Sequence, residues 1–231
     1  MKILNLYSGI GGNRKLWKDE HEVTAVEYNE EIAMVYRDYF PNDEVIIGDA
    51  HEYLLKNYMN YDFIWSSPPC TTHTRINKNF AVTKNGKGKI NPRFPDMKLW
   101  QEIIFLDNFF GGKYCVENVI PYYKPLIAAQ QRYRHLYWCN FKIRTTGKGN
   151  PPKEMNLKPH SWTKNFIKED SAEVLAKRYG FKPLDKDIYI GRNHSPGQLF
   201  RNCVDPKEGL LILETAMGII RKQNVKQTEL F

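Results

Sequence analysis

Short apolar runs bounded by turn residues alternate with stretches of helical period in the first half of the chain. Residues 2–7, 22–27, 45–48, 62–66 and 113–117 read as buried strands, each a few residues long and rich in Val, Ile, Leu or aromatic side chains. Between them, residues 30–40, 50–59 and 97–110 repeat apolar positions at three- and four-residue spacing and read as helices. Residues 135–143 read as a sixth strand. Strand–helix alternation predicts an α/β fold, a largely parallel sheet with helices on both faces. The pattern then loosens. Residues 71–95 show no period and read as a long loop, and residues 144–170 are irregular. Residues 171–180 suit a short helix, and 206–222 a longer one with Leu210, Leu211, Leu213, Met217 and Ile220 inward. The chain therefore divides into a core at 1–143, a small irregular region at 144–195, and a C-terminal segment at 196–231 that returns to the core and ends in a tail.

Composition narrows the class. The chain has 231 residues, 42% hydrophobic and 26% charged, which suits a folded domain rather than a disordered one. No stretch approaches the roughly 18 apolar residues of a membrane span, and mean hydropathy is −0.58. The start lacks a signal-peptide pattern. The four cysteines, Cys70, Cys115, Cys139 and Cys203, form no close pair, which argues against a disulfide scaffold or zinc site and suits a reducing cytoplasm. The net charge of +8 is unevenly spread. Residues 1–70 hold 6 basic and 12 acidic side chains, residues 71–100 hold 7 and 1, and residues 144–201 hold 12 and 6. Two basic segments of this kind suit a phosphate backbone.

The unusual residues sit at the predicted strand ends, where ligands bind in open α/β sheets. Tyr7-Ser8-Gly9-Ile10-Gly11-Gly12 ends the first strand and is expected to lead into a helix, its glycines allowing a tight turn and close ligand contact. Glu27 ends the second strand, where a carboxylate accepts from ribose hydroxyls, and Asp49 ends the third, placed for an adenine amino group. No Lys-Ser/Thr follows the glycines, and the surrounding seventy residues are acidic. A nucleoside carrying a positive charge, such as S-adenosylmethionine, suits that pocket better than a pyrophosphate. Pro68-Pro69-Cys70 leaves the fourth strand with a fixed backbone, presenting a candidate nucleophile followed by His73, Arg75 and Lys78, which would favour its thiolate. Glu117-Asn118-Val119 ends the fifth strand facing the same opening. Arg132 and Arg134, alternate residues of Gln130-Gln131-Arg132-Tyr133-Arg134, are expected on one side of an extended chain.

Together these motifs resemble the C5-cytosine DNA methyltransferases. The glycine turn is similar to the family's first motif, with Tyr7 in the usual phenylalanine place. Glu27 and Asp49 match the second and third motifs, Pro68-Pro69-Cys70 the nucleophile motif, Glu117-Asn118-Val119 the glutamate motif, and Gln130 to Arg134 the Q-x-R-x-R motif. Arg201-Asn202-Cys203-Val204 resembles the final G-N-S/A-V motif. The resemblance implies a Rossmann-like S-adenosylmethionine-dependent methyltransferase sheet with a small basic target-recognition region. It implies a cofactor site of Tyr7, Ser8, Gly9, Ile10, Gly11, Gly12, Glu27, Tyr28, Asp49, Ala50, Pro68 and Asn202. It also implies catalysis by Cys70, Glu117, Arg134 and Arg132: thiolate addition to C6 of a flipped cytosine, Glu117 at the N3/N4 edge, and Arg134 at O2. The partner implied is DNA, held by segments 71–100 and 144–201 of a monomer. Methylation of tRNA and a catalytically silent binding module are the alternatives.

The chain departs from the family in places. Only 11 residues separate Asn118 from Gln130, Thr71-Thr72-His73 replaces the common glutamine after the cysteine, and Ser171 to Phe181 only loosely resembles the ninth motif. Small phage-type methylases share this reduction. The tail Gln227-Thr228-Glu229-Leu230-Phe231 resembles the Q-x-x-L-F peptide that docks on bacterial sliding clamps, through Gln227, Leu230 and Phe231.

Overall fold

Alternation along each strand decides which face of the sheet it covers. Along β1 (Lys2–Leu6), Leu4 and Leu6 point to one face while Ile3 and Asn5 point to the other, and all four are fully buried. The computed structural model describes residues 1–74, 94–145, 172–184 and 196–219. The elements that follow β1 are β2 (Glu22–Glu27), α1 (Glu30–Tyr39), β3 (Glu44–Ile47), α2 (Ala50–Asn57) and β4 (Phe63–Ser66). Next come α3 (Lys98–Phe109), β5 (Lys113–Val119), β6 (Gln130–Arg132) and β7 (His135–Cys139). The chain closes with α4 (Ala172–Tyr179), α5 (Pro196–Arg201) and α6 (Pro206–Ala216). The sheet order is β3-β2-β1-β4-β5-β7-β6. The first five strands are parallel, and β7 runs antiparallel to both β5 and β6. The expected α/β sheet is present, with its reversal of strand order between β1 and β4.

Both faces are covered. On one, Leu4, Leu6, Ile64, Val116 and Trp138 meet Leu54 of α2 and Leu99, Trp100, Ile103 and Leu106 of α3. On the other, Ala25 packs with Ile32, Val35 and Tyr36 of α1, Leu175 of α4 and Phe200 of α5, while Ile3, Phe63, Trp65 and Tyr137 pack with Ile212 and Leu213 of α6. Each such buried side chain contributes roughly 1.5–3 kcal/mol, so the strand ends that carry the site rest on a rigid base. No helix among the described residues is long and apolar enough to cross a membrane.

Several expectations need correction. No helix follows the glycine turn: β1 and β2 are joined by successive turns, with Gly11 N–H donating to Ser8 C=O and Trp17 N–H to Arg14 C=O. Polar side chains hold this segment instead. Asn13 donates to Asn5 of β1 (2.8 Å), and the buried Arg14 grips Asp43 with Nε and Nη2 (2.9 and 3.0 Å). Among the described residues the sheet has seven strands rather than six, because Gln130–Arg132 turns back on β7. Strand β7 stops at Cys139 because side-chain amides take over the pairing. Asn140 accepts from Tyr114 N–H and donates to Gly112 C=O, and Gln130 bonds Phe141 C=O and Ile143 N–H. Helix α6 ends at Ala216, with Leu211, Ile212 and Leu213 inward and Leu210 and Met217 only partly covered. Ile220, Arg75, Lys78, most of the two basic segments and the tail with Gln227, Leu230 and Phe231 lie outside the described residues.

Candidate active site

Three glycines follow β1, and each is required for a different reason. Gly9 has φ +54° and open space where a side chain would stand. At Gly11 (φ +81°) a Cβ would press into the Phe40 and Tyr36 rings, and at Gly12 into Cys203 and the Val204 backbone. Gly9 therefore borders space that no described residue fills, whereas Gly11 and Gly12 let α1 and the Cys203 segment close onto the turn. Tyr7 also has a left-handed backbone, φ 54°, which costs an L residue on the order of 1–2 kcal/mol. Its hydroxyl offsets this by donating to Glu102 (2.6 Å).

Glu27 lies against the same turn, accepting from Gly9 N–H and Asn29 N–H, both at 3.0 Å. A carboxylate has about four acceptor positions, so Glu27 keeps capacity for ribose hydroxyls. Beside it Tyr28 is 80% exposed, a ring that no described residue covers. Ser8 is buried, and its Oγ has no hydrogen-bond partner among the described residues. An orphaned hydroxyl, an open glycine and an uncovered ring around one carboxylate fit a bound nucleoside.

Asp49 is engaged differently from the adenine acceptor expected. Its Oδ1 caps α2 by accepting from His51 N–H (2.8 Å) and Glu52 N–H (3.1 Å), while Oδ2 lies 3.3 Å from Lys98 Nζ. Burial works against its charge, but the two N–H groups and Lys98 hold the carboxyl below its ordinary value. Ile10 and Ala50 are core residues, 2% and 3% exposed, so their side chains pack the turn and the helix start. Asn202 is exposed directly after α5, next to Cys203, whose thiol burial pushes up to about 12 while Gly12 N–H bonds it.

The Pro68-Pro69-Cys70 loop is fastened to the strand that carries Glu117. Asn118 Nδ2 donates to Pro68 C=O (2.9 Å), Tyr122 N–H to His73 C=O (3.1 Å), and Thr74 bridges Pro121. Cys70 opens a 3-10 turn, Cys70–Thr72, and is partly buried. Burial, with the Glu117 charge adding to it, raises the Cys70 thiol above its ordinary value. The expected activation by His73 is absent: its ring is 1% exposed, burial lowers its proton affinity, and Nδ1 pairs with the Tyr123 hydroxyl. A neutral imidazole lends no charge to a thiolate. Glu117 is 7% exposed. Burial raises its carboxyl, and His135 (Nε2–Oε1 3.6 Å) and the Ser67 hydroxyl oppose the rise. Thus Cys70 and Glu117 come together, each holding its proton more tightly than in water.

The two arginines part company. Tyr133 takes φ 50° and the chain turns over Tyr133–Arg134, so Arg132 and Arg134 do not share one side of a strand. Arg132 forks onto Glu208 of α6 (2.7 and 3.1 Å), tying β6 to the C-terminal helix. Arg134 stands exposed at the turn.

Sequence reasoning missed four residues. Ser67 accepts from Trp65 Nε1 (2.8 Å) while bonding Glu117. His135 reaches Glu117 only through the β5–β7 register, which places it opposite Val119. Glu102, fully buried, and His51, 3.0 Å from it, form a second polar cluster. Of these, Glu102 carried a readable signal, an acid embedded in the apolar stretch Leu99 to Leu106.

The model of the family C-5 cytosine-specific DNA methylase matches residues 1–88. A tRNA (cytosine(38)-C(5))-methyltransferase of Spodoptera frugiperda is 39% identical over 84 residues, covering 33% of this chain and 25% of that protein. The Homo sapiens protein of the same name is 26% identical over 120 residues, covering 48% and 31%. The chain thus spans about a quarter to a third of the length of these relatives. Among solved structures, the Entamoeba histolytica methyltransferase EhMeth aligns with a TM-score of 0.48 at 12% identity, covering 96% of this chain and 99% of that one.

Proposed function

We propose that this chain, whose residues 1–88 match the model of the C-5 cytosine-specific DNA methylase family, methylates C5 of cytosine in DNA through a covalent adduct on Cys70. The observation that carries the reading is the convergence of Cys70 and Glu117 at the ends of neighbouring strands β4 and β5, across from the open turn at Gly9. The cofactor is S-adenosylmethionine, which when bound supplies a methyl group on a positively charged sulfur. Glu27, Gly9, Ser8 and Tyr28 are the residues to hold its nucleoside, and the acidic surroundings suit its charge.

Cytosine C5 is a weak nucleophile until sulfur adds at C6. Burial keeps Cys70 a thiol at rest, so its proton must leave as the base arrives. Glu117 donates its carboxyl proton to N3 while Cys70 adds to C6, and the thiol proton replaces the one given up. Electron density then gathers at C5. Once C5 carries both its own proton and a methyl group, loss of that proton to water returns the pair to the ring and expels Cys70 as a thiolate, and the N3 proton passes back to Glu117 as Glu117 returns the thiol its own. Arg132 is committed to Glu208, which leaves Arg134 as the arginine for the base oxygen. The target must leave its stack to reach these groups, and the basic segments 71–100 and 144–201 would hold the phosphates.

The named tRNA relatives favour a second reading, the same chemistry on RNA. One experiment addresses both: incubation with S-adenosylmethionine and oligonucleotides bearing 5-fluorocytosine, as DNA and as RNA. Fluorine cannot leave C5 as a proton does, so the adduct persists. A covalent DNA complex lost in Cys70→Ser supports the first reading, an RNA complex alone supports the second, and no complex with either contradicts both.

A further inference from the structure

Glu102 has no place in the chemistry above, yet it is the most completely enclosed carboxylate near the site, at 0% exposure. Three donors from three separate segments converge on it. The Tyr7 hydroxyl reaches Oε1 at 2.6 Å, the Ser66 hydroxyl reaches Oε2 at 2.7 Å, and His51 Nδ1 lies 3.0 Å from Oε1. Tyr7 leads into the Ser8–Gly12 turn. His51 stands in the first turn of α2, its N–H bonded to Asp49. Ser66 precedes Ser67-Pro68-Pro69-Cys70. Helix α3 supplies the carboxylate from beneath the sheet, held by Leu99, Trp100, Ile103 and Leu106 in the core.

We propose that Glu102 is a positioning residue that gathers the ends of β1 and β4 and the start of α2 into one cofactor-competent arrangement. The left-handed backbone of Tyr7 makes the arrangement depend on this carboxylate. The ring must lie where its hydroxyl meets Oε1, and that fixes the entry into the Gly9 turn, itself left-handed at φ +54°. One side chain thereby sets both the cradle at Gly9 and the departure of the nucleophile loop. The inference rests on S-adenosylmethionine being bound at that turn.

The groups that face His51 are Glu102, Lys98 and Asp49, and the Glu102 contact raises its affinity for a proton. Tyr7 faces Glu102, Asp49 and Asp96. The contact with Glu102 lets His51 keep its proton to higher pH than a free imidazole.

The test is S-adenosylmethionine affinity, measured by calorimetry on the full chain from pH 6 to 9, for wild type, Glu102→Gln, Tyr7→Phe and Asp107→Asn. Asp107 lies on the same helix and accepts from the Tyr114 hydroxyl (3.0 Å), so its variant controls for lost stability. Loss of a hydrogen bond to a buried charged acceptor predicts Kd raised about tenfold or more in Glu102→Gln. Wild-type affinity should weaken as pH rises through the His51 value, and Glu102→Gln should lose that dependence. Asp107→Asn should bind as wild type does. Unchanged affinity and pH dependence in Glu102→Gln would overturn the proposal. Should that variant fail to fold, Tyr7→Phe, which keeps the ring and the carboxylate, decides: weakened binding supports the proposal and wild-type binding overturns it. Wild type that binds no S-adenosylmethionine would instead overturn the underlying reading.

Discussion

Among the described residues, Glu102 and Glu117 are buried near the candidate site, and their surroundings are opposite. Glu102, beneath the ends of β1 and β4, receives two hydroxyls and an imidazole at 2.6–3.0 Å. Glu117, at the end of β5, has the Ser67 hydroxyl and a histidine at 3.6 Å. A carboxylate with several close donors is a fixed acceptor and holds structure together. One with few donors is costly to leave charged, so its proton affinity rises and it can give a proton to a ligand. The difference separates a scaffold acid from a working acid before any substrate is considered.

Substitution with glutamine should split the pair. Glu117→Gln is expected to lower the methylation rate by about 100- to 10,000-fold, as for removal of a positioned acid, in single-turnover assays. The same variant should melt no lower than wild type at neutral pH. A carboxyl with a raised folded pKa loses stability as pH climbs above its unfolded value, near 4.3, and glutamine removes that loss. Glu102→Gln should do the reverse to stability, costing about 1–3 kcal/mol for its unsatisfied buried donors, read by denaturant melts. His51, with its raised value, lends stability that is complete below about pH 6.5 and is lost as pH rises through its folded value. The gap between wild type and Glu102→Gln should therefore narrow in alkaline buffer.

Smaller changes tune Glu117 alone. His135→Leu removes the imidazole that opposes the rise at Glu117, so the acid should hold its proton to higher pH than in wild type. The limb of the pH–rate profile that reports Glu117 should move to higher pH. Ser67→Ala removes a hydrogen bond and should move it the same way by less. Movement to lower pH in either variant would break the comparison.

How far the sequence reveals this depends on whether a residue acts through its own segment or across the sheet. Strand ends are local. Hydrophobic periodicity places Gly9, Glu27, Cys70 and Glu117 at the mouths of β1, β2, β4 and β5, because parallel strands bring their carboxyl ends to one side. The hairpin is not local. The positive φ at Tyr133 turns the chain back, so Arg132 meets Glu208 in a helix far along the sequence. His73 follows Cys70 directly yet is spent on Tyr123, a partner that only the folded loop provides. Glycine spacing gives a turn without distinguishing Gly9, which faces open space, from Gly12, which accommodates Cys203. Charges and strand ends were legible for this reason, whereas cross-sheet pairings had to be seen.

The most direct test of the account is methyl transfer from labelled S-adenosylmethionine to mixed-sequence DNA and to tRNA, followed by base analysis, with Cys70→Ser beside wild type. The account predicts label in 5-methylcytosine from DNA and none with Cys70→Ser. Label in another base, or label undiminished by the Cys70 substitution, would contradict it.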